Sequence, residues 1–434
     1  MAEALGVALI GCGTVGTGVV KVMQEHAERL TQRSGMHLDL RHVIVRDPAK
    51  AREVKLPAGL VGTDVSKVWN DPSVHVVVEL IGGITTAKDV VLKALAAGKH
   101  VVTANKALLA DSGHEIFETA RQAERCVGFE GAVAGGVPII RALAESLSAN
   151  QITAIQAILN GTSNFILTAM ADEGKTYADA LKDAQRLGYA EADPTLDVDG
   201  SDAAHKLAVL AQIAFGVAAK PHEIERLGID NVQAIDMKFA TELGYTIKLL
   251  AEAWVLDARV ALHVAPVMVR KTDMLAQVRG AYNAIQVIGD VVGETLYQGP
   301  GAGMMATASS VVADIVDIAV GRAQKTFAAA KLWSSQSRGF TVEPSEKVRS
   351  RFYVRLMVRD QPGVLADVCR ALANENISIS SVVQHEAVEG QPEKSVPLVI
   401  VTHYAETGRF RKAVQAMTRL TAIGEPPVTY SVDD

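Results

Sequence analysis

Two stretches of the chain carry residue types and spacings that could do chemistry. The first is Gly11-Cys12-Gly13-Thr14-Val15-Gly16. In this pattern the first glycine permits a tight turn, the second lets a pyrophosphate approach the backbone, and the third lets helix and strand pack closely. A β-rich run at residues 7–10 leads in and a helical pattern leads out, so the N–H groups of a helix N-terminus face the anion. That context favours a dinucleotide over a glycine turn without ligand, and Gly11, Gly13, Thr14, Val15 and Gly16 are expected to hold it. The tip of the second strand should choose the cofactor. There Arg46-Asp47-Pro48-Ala49-Lys50 offers an acidic group for a ribose 2′-hydroxyl and an arginine for a 2′-phosphate. Arg46 comes first with Lys50 nearby, which points to NADP, with NAD as a second cofactor. The competing reading makes both cations solvated surface charges.

The second stretch runs from Gly188 to Lys206 and places Glu191, Asp193, Asp197, Asp199 and Asp202 ahead of His205 and Lys206. Asp202 and Lys206 are four apart on a helical pattern and so share a face. Hydride delivery to an aldehyde leaves an alkoxide that needs a proton, which a partly desolvated lysine near carboxylates can supply. The carboxylates could also grip an ammonium group. On spacing alone, an ordinary surface ion pair worth a few tenths of a kcal/mol is the favoured reading, since such pairs are common on helices. Thr103-Ala104-Asn105-Lys106 ends a strand and opens a helix, at the sheet edge where such folds bind ligands. Lys106 there would meet cofactor or substrate, or lie on the surface. His205 points roughly 100° away from Lys206 on a helix and reads as a packing residue. Cys126, in a strand-like run, reads as a buried structural cysteine, not the thiol nucleophile an aldehyde oxidation would need.

These residues must be positioned by α/β architecture. β-rich runs at residues 7–10, 38–45, 74–80 and 100–103 alternate with helical patterns at 14–29 and 85–97. Nearly continuous apolar strands, each followed by a helix, predict a Rossmann-type doubly wound parallel sheet over residues 1–137, completed by an apolar helix returning at 302–322. Residues 138–320 mix strands at 152–159, 260–269 and 287–297 with helices at 163–172 and 202–215, predicting an α+β substrate domain. Residues 321–350 lose periodicity and read as a linker. Residues 351–434 read strand, helix, strand, strand, helix, strand, a ferredoxin-like βαββαβ plan expected to fold independently. The 434 residues carry a net charge of -6, so a nucleic-acid partner is not expected. Cys12, Cys126 and Cys369 are too far apart for a disulfide framework or a CxxC metal site. Residues 1–11 lack signal-peptide character and no apolar run reaches membrane-helix length, so a cytoplasmic protein away from membranes is expected.

With these motifs in view, the chain resembles the homoserine dehydrogenase family. The resemblance rests on residues 11–16, 103–106 and 188–206, on Glu130-Gly131-Ala132-Val133-Ala134-Gly135-Gly136-Val137-Pro138, on Asn160-Gly161-Thr162-Ser163-Asn164, and on Gly299-Pro300-Gly301-Ala302-Gly303, in the family's order. It implies NAD(P)H-dependent interconversion of L-aspartate 4-semialdehyde and L-homoserine, in threonine, methionine and isoleucine biosynthesis. It further implies that Lys206 donates the proton, that Glu191 and Asp202 hold the substrate amino group and hydroxyl, and that Asp197 and Tyr189 are further substrate contacts. Lys106 would lie between cofactor and substrate, and Asn160, Gly161 and Thr162 would support the substrate pocket. Thr103, Gly188 and Gly303 would line the cofactor site. The loop 130–137 resembles a structural sodium site, with carbonyls from Glu130, Val133, Gly135 and Val137; by its residues alone it would be a glycine hinge.

Asp360-Gln361-Pro362-Gly363-Val364-Leu365 resembles the ACT-domain signature. N–H groups at Gly363, Val364 and Leu365 can receive an amino acid's carboxylate and Asp360 its ammonium; the plainer alternative is a capped helix in an interface domain. The resemblance implies regulation, with threonine as effector, and ACT pairing implies a homodimer or homotetramer whose central domain also serves dimerisation. Two other readings compete: a non-catalytic sensor of dinucleotide and amino acid, and another semialdehyde oxidoreductase relying on a thiol.

Overall fold

A computed structural model of the protein describes residues 4–57, 59–334, 340–385 and 395–433. Residues 1–161, 202–224 and 282–340 form one compact unit; residues 162–201, 225–281 and 341–434 form the other. The first unit is built on six parallel strands in the order Val61–Gly62, His37–Ile44, Ala4–Ile10, Val76–Glu79, His100–Thr103 and Val127–Gly128. Val7, Leu9, Val76 and Val78 on one face and Ala8 and Val77 on the other are sealed, as expected of a sheet covered on both faces by helices. The strand order reverses between Ala4–Ile10 and Val76–Glu79, which opens a ligand crevice at the strands' carboxyl ends. The first helix is shorter than its pattern predicts: it ends at Glu25, and a second helix, Ala27–Ser34, begins after His26. Helix Met304–Ala319 joins this core through Ala308, Val311, Val312 and Ile315. Gly18 allows the approach, because a Cβ there would lie 2.7 Å from the Met304 carbonyl oxygen.

The same unit holds the antiparallel strands Ile152–Ile158, Tyr282–Gly289 and Gly293–Pro300. The single β-run expected at 287–297 is thus a hairpin, and its turn escaped notice because Val291 and Val292 continue the apolar pattern while facing solvent. Residues 321–350 contain a helix, Arg322–Ala330, where a linker was expected. Phe327 stacks on Phe117 at 5.3 Å between ring centroids and Trp333 lies tilted against it at 4.4 Å, so aromatic packing holds a segment whose periodicity is weak. Residues 335–339 of that stretch lie outside the described residues.

In the second unit the strands Tyr245–Leu256 and Arg259–Arg270 form a long antiparallel hairpin. The C-terminal βαββαβ unit follows the expected plan, with antiparallel strands in the order Val428–Val432, Arg349–Arg359, Ser395–Thr402 and Ile379–Gln384. Helices Val364–Asn374 and Thr407–Met417 cover it, packing Val368, Leu372, Phe410 and Met417 onto Val354, Leu356 and Leu398. The module is not self-contained. Strand Val428–Val432 also pairs with Arg259–Arg270, so one sheet runs from the hairpin into the C-terminal module. A second tie is ionic. Asp236, sealed on helix Ala234–Glu242, accepts from Arg355 Nε at 2.6 Å, from Tyr353 Oη at 3.0 Å and from Tyr430 Oη at 3.2 Å.

Candidate active site

The glycine loop has the shape its spacing predicts. Gly11 adopts φ +98°, and a Cβ there would lie 2.5 Å from the Leu80 carbonyl oxygen. A Cβ on Gly16 would lie 2.3 Å from the Gly11 carbonyl oxygen, so this glycine lets helix Thr14–Glu25 close on the loop. Over Gly13 there is no atom within 4 Å of where a Cβ would stand. Open space above a helix start, with first-turn N–H groups lacking intrahelical acceptors, is what a pyrophosphate needs. These residues fit a dinucleotide. Arg46 is exposed just beyond the second strand; Asp47 Oδ1 accepts from the Ala49 N–H at 2.9 Å. Arg52, which the sequence reading passed over, wraps this loop by donating to the carbonyls of Asp47 and Lys50 at 2.8 and 2.7 Å.

Thr103 is wholly buried, and its hydroxyl donates to Glu79 at 2.7 Å. Glu79 also accepts from the Ile81 N–H at 2.8 Å, so the two strand ends are tied together under the crevice. Asn105 caps helix Lys106–Gln122 by accepting from the Leu108 N–H. Lys106 therefore starts a fixed helix at the sheet's carboxyl edge.

From there Lys106 Nζ reaches Asp202 Oδ1 at 3.0 Å. Asp202 Oδ2 accepts from Lys206 Nζ at 2.7 Å and from Asn160 Nδ2 at 3.0 Å. The i to i+4 spacing on helix Ser201–Phe215 does bring acid and lysine together. Lys206, 8% exposed, also donates to the Leu159 carbonyl at 2.6 Å, an oxygen shared with Asn283 Nδ2 at 2.9 Å. Burial alone would raise the Asp202 pKa, but the ammonium groups of Lys206 and Lys106 and the hydrogen bonds from Lys206 and Asn160 hold it well below the usual carboxylate range. The result is a carboxylate clamped between two lysines, one buried and one partly exposed. Asn160 and Asn283 were invisible as partners because each lies far along the chain.

The five carboxylates before Lys206 do not form one cluster. Asp193 accepts from the N–H and hydroxyl of Thr195, and Asp199 from those of Ser201. Both are local turn caps, a job that the Asp-x-Thr and Asp-x-Ser spacing could have signalled. Glu191 is exposed, and Asp197, in helix Thr195–Val198, accepts from Ser163 Oγ at its backbone carbonyl. The Tyr189 carbonyl accepts from Thr162 Oγ1 at 2.7 Å, and its ring lies 4.9 Å from Phe165. Gly161 opens the helix Gly161–Glu173, and Asn164 within it accepts from buried Lys248 at 3.1 Å. Gly188 and Gly303 take φ +79° and +112° in open turns.

At the loop 130–137, Glu130 accepts at its carboxylate from the N–H groups of Ile140 and Arg141, and its own N–H donates to Asp314. The Gly135 carbonyl accepts from Ser310 Oγ at 2.6 Å and the Val137 carbonyl from the Ile139 N–H at 2.8 Å. No group of three His, Cys, Asp or Glu placed for a metal occurs among the described residues. Burial, reinforced by Asp314, pushes the Cys126 thiol up to about 12, which leaves it no nucleophile at neutral pH. In the C-terminal module, Gly363, at φ +95°, begins helix Val364–Asn374. Leu365 is exposed, Asp360 accepts from Gln384 at 3.3 Å, and the Val364 N–H is engaged by the Gln361 carbonyl.

Among the described residues no single helix is long and apolar enough to cross a membrane. Residues 138–316 match the family described as Homoserine dehydrogenase, residues 11–130 the Homoserine dehydrogenase, NAD binding domain, and residues 352–418 the ACT domain. A homoserine dehydrogenase of Pseudomonas aeruginosa is 42% identical, with 98% of each chain covered. The crystal structure of a homoserine dehydrogenase from Thiobacillus denitrificans superposes with a TM-score of 0.92 at 42% identity, covering 100% of this chain and 99% of that one. A hyperthermophilic archaeal homoserine dehydrogenase in complex with NADPH gives a TM-score of 0.59 at 28% identity, covering 73% of this chain and 97% of that one. Identity at this level over nearly the whole of two chains makes this protein a member of the homoserine dehydrogenase family, an oxidoreductase with an NAD-binding domain and a C-terminal ACT domain.

Proposed function

We propose that the protein reduces L-aspartate 4-semialdehyde to L-homoserine reversibly, with Lys206 giving the proton to the developing alkoxide. The observation carrying this is the seat of Lys206 Nζ: two of its N–H groups are directed at Asp202 and the Leu159 carbonyl, which aims the third. Bound along the Gly11–Gly16 loop, the nicotinamide supplies the hydride. Asp202 orients both lysines and, held ionised, takes the substrate hydroxyl; Lys106 stands between cofactor and substrate. Glu191 takes the amino group, Asp197 and Tyr189 make further substrate contacts, and Asn160, Gly161 and Thr162 support the pocket. Thr103, Gly188 and Gly303 shape the cofactor site, Thr103 from beneath. Arg46 selects NADP over NAD by facing the 2′-phosphate.

The same reading divides the chain into a cofactor domain at residues 1–137 with 302–322, a substrate domain at 138–320, a connector at 321–350 and the ACT module at 351–434. Carbonyls of Glu130, Val133, Gly135 and Val137 are hard donors that suit a sodium ion, and each engaged carbonyl keeps a second lone pair. Its role is structural. Threonine acts at Asp360 and Gly363–Leu365 of paired ACT modules in a homodimer or homotetramer, in the cytoplasm, as feedback on threonine, methionine and isoleucine synthesis. L-Homoserine with NADP, and separately with NAD, should generate reduced-nicotinamide absorbance, faster with NADP at subsaturating cofactor. Silence with both cofactors would overturn the assignment. A threonine titration of the parent chain and of Asp360→Ala reads the regulation.

A further inference from the structure

The second unit contains a cavity of about 310 Å³ to which nothing above assigns a task. Strand Arg259–Arg270 forms one wall and the module's helix Thr407–Met417 another, with Val428–Val432 between them. Its lining is predominantly apolar, with Leu262, Val264, Phe352 and Phe410 all buried. Two opposite charges also line it, Glu225 and Arg411, and they pair with each other. Their side chains are 30% and 46% exposed, so the pair is partly solvated and cheap to open. None of Asp360, Gly363, Val364 or Leu365 lines the cavity.

We propose that this cavity is a binding site for a free L-amino acid with an apolar side chain. A zwitterion would part the Glu225–Arg411 pair and replace it, its carboxylate forking onto the Arg411 guanidinium and its ammonium meeting Glu225. The side chain enters among Leu262, Val264 and Phe410. The volume is at the small end of ligand pockets, which suits a molecule of amino-acid size. A ligand there also meets a residue that holds the sealed aspartate. Tyr430 lines the cavity while its hydroxyl donates to Asp236, so occupancy bears directly on the contact between the hairpin's helix and the ACT sheet. The site is independent of the proposed threonine loop and of the catalytic assignment.

Titration calorimetry of the full chain with L-leucine, L-isoleucine and L-phenylalanine tests this. At least one should bind once per chain, while its amide and its deaminated acid bind far less. Arg411→Gln should weaken that binding about ten-fold or more, the loss of a charge-assisted fork, with homoserine oxidation unchanged. Ser431→Trp, which fills the cavity, should abolish it, and Asp360→Ala should leave it intact. Failure of all three amino acids to bind, or binding that survives both Arg411→Gln and Ser431→Trp, would overturn the proposal. So would binding lost in Asp360→Ala alone, which would move the ligand to the loop.

Discussion

Asp202, half-buried, and Asp236, sealed, are both aspartates ringed by donors, yet the rings differ in kind. Asp202 is clamped by two lysines and Asn160, and Lys106 keeps a side chain 35% exposed. Ammonium groups on flexible stems hold one oxygen each and can be borrowed by a substrate. Asp236 is met by the planar fork of Arg355 and by two phenols, Tyr353 and Tyr430, with no exposure at all. That ring is stiff and fixes one helix onto the C-terminal sheet. Both side chains are largely withdrawn from water, that of Asp202 13% exposed and that of Asp236 not at all. What separates a chemical site from a structural tie here is the stiffness of the donors and whether one of them meets solvent.

Removing a partner on each side sharpens the contrast. Lys206→Ala should lower turnover by about 10²–10⁴, the usual range for a lost general acid, while fluorescence still reports cofactor binding and the melting temperature changes little. A comparable loss of stability would merge the two aspartates into one class. Asp236→Ala should do the reverse, destabilising the second unit by about 3–5 kcal/mol because Arg355 is left buried without its partner. Denaturant unfolding measures this, and KM for homoserine in the folded fraction should hold. Arg46→Ala should raise the Kd of NADP about ten-fold, one charge-assisted contact, and that of NAD hardly at all; equal weakening would place recognition of the phosphate elsewhere.

The smallest effect concerns a buried lysine that lacks an aspartate. Lys248 donates to Asn164 and the Val278 carbonyl, and burial, with Arg279 adding to it, lowers its pKa to about 8 from 10.5. Its folded pKa is depressed, so its penalty on stability is full below about pH 8 and fades as pH rises towards 10.5. Lys248→Met should flatten that segment of the profile of melting temperature against pH relative to the parent. Unchanged slope would mean that Lys248 is solvated in the native state.

The parallel sheet was legible because central strands such as Ala4–Ile10 and Val76–Glu79 are nearly continuous apolar runs, and the Asp202–Lys206 pair because helical spacing forces it. What escaped has physical reasons. The turn at 290–292 is hidden by two exposed valines, and helix Arg322–Ala330 relies on one phenylalanine stacking on a ring over 200 residues away. The tie at Asp236 gave no signal, since Tyr353, Arg355 and Tyr430 follow 117 to 194 residues later. The carboxylate cluster was over-read, as Asp193 and Asp199 spend their oxygens on neighbouring turns.

The central assignment, Lys206 as proton donor, is tested most directly by chemical rescue. Lys206→Cys should be nearly inactive, and alkylation with 2-bromoethylamine, which rebuilds an ammonium of lower pKa at that position, should restore much of the homoserine oxidation. The pH profile of kcat should then move to lower pH, with the similarly treated parent enzyme unchanged, which controls for alkylation of Cys12, Cys126 and Cys369. Recovery with an unshifted profile, or high activity in Lys206→Cys before alkylation, would contradict the assignment.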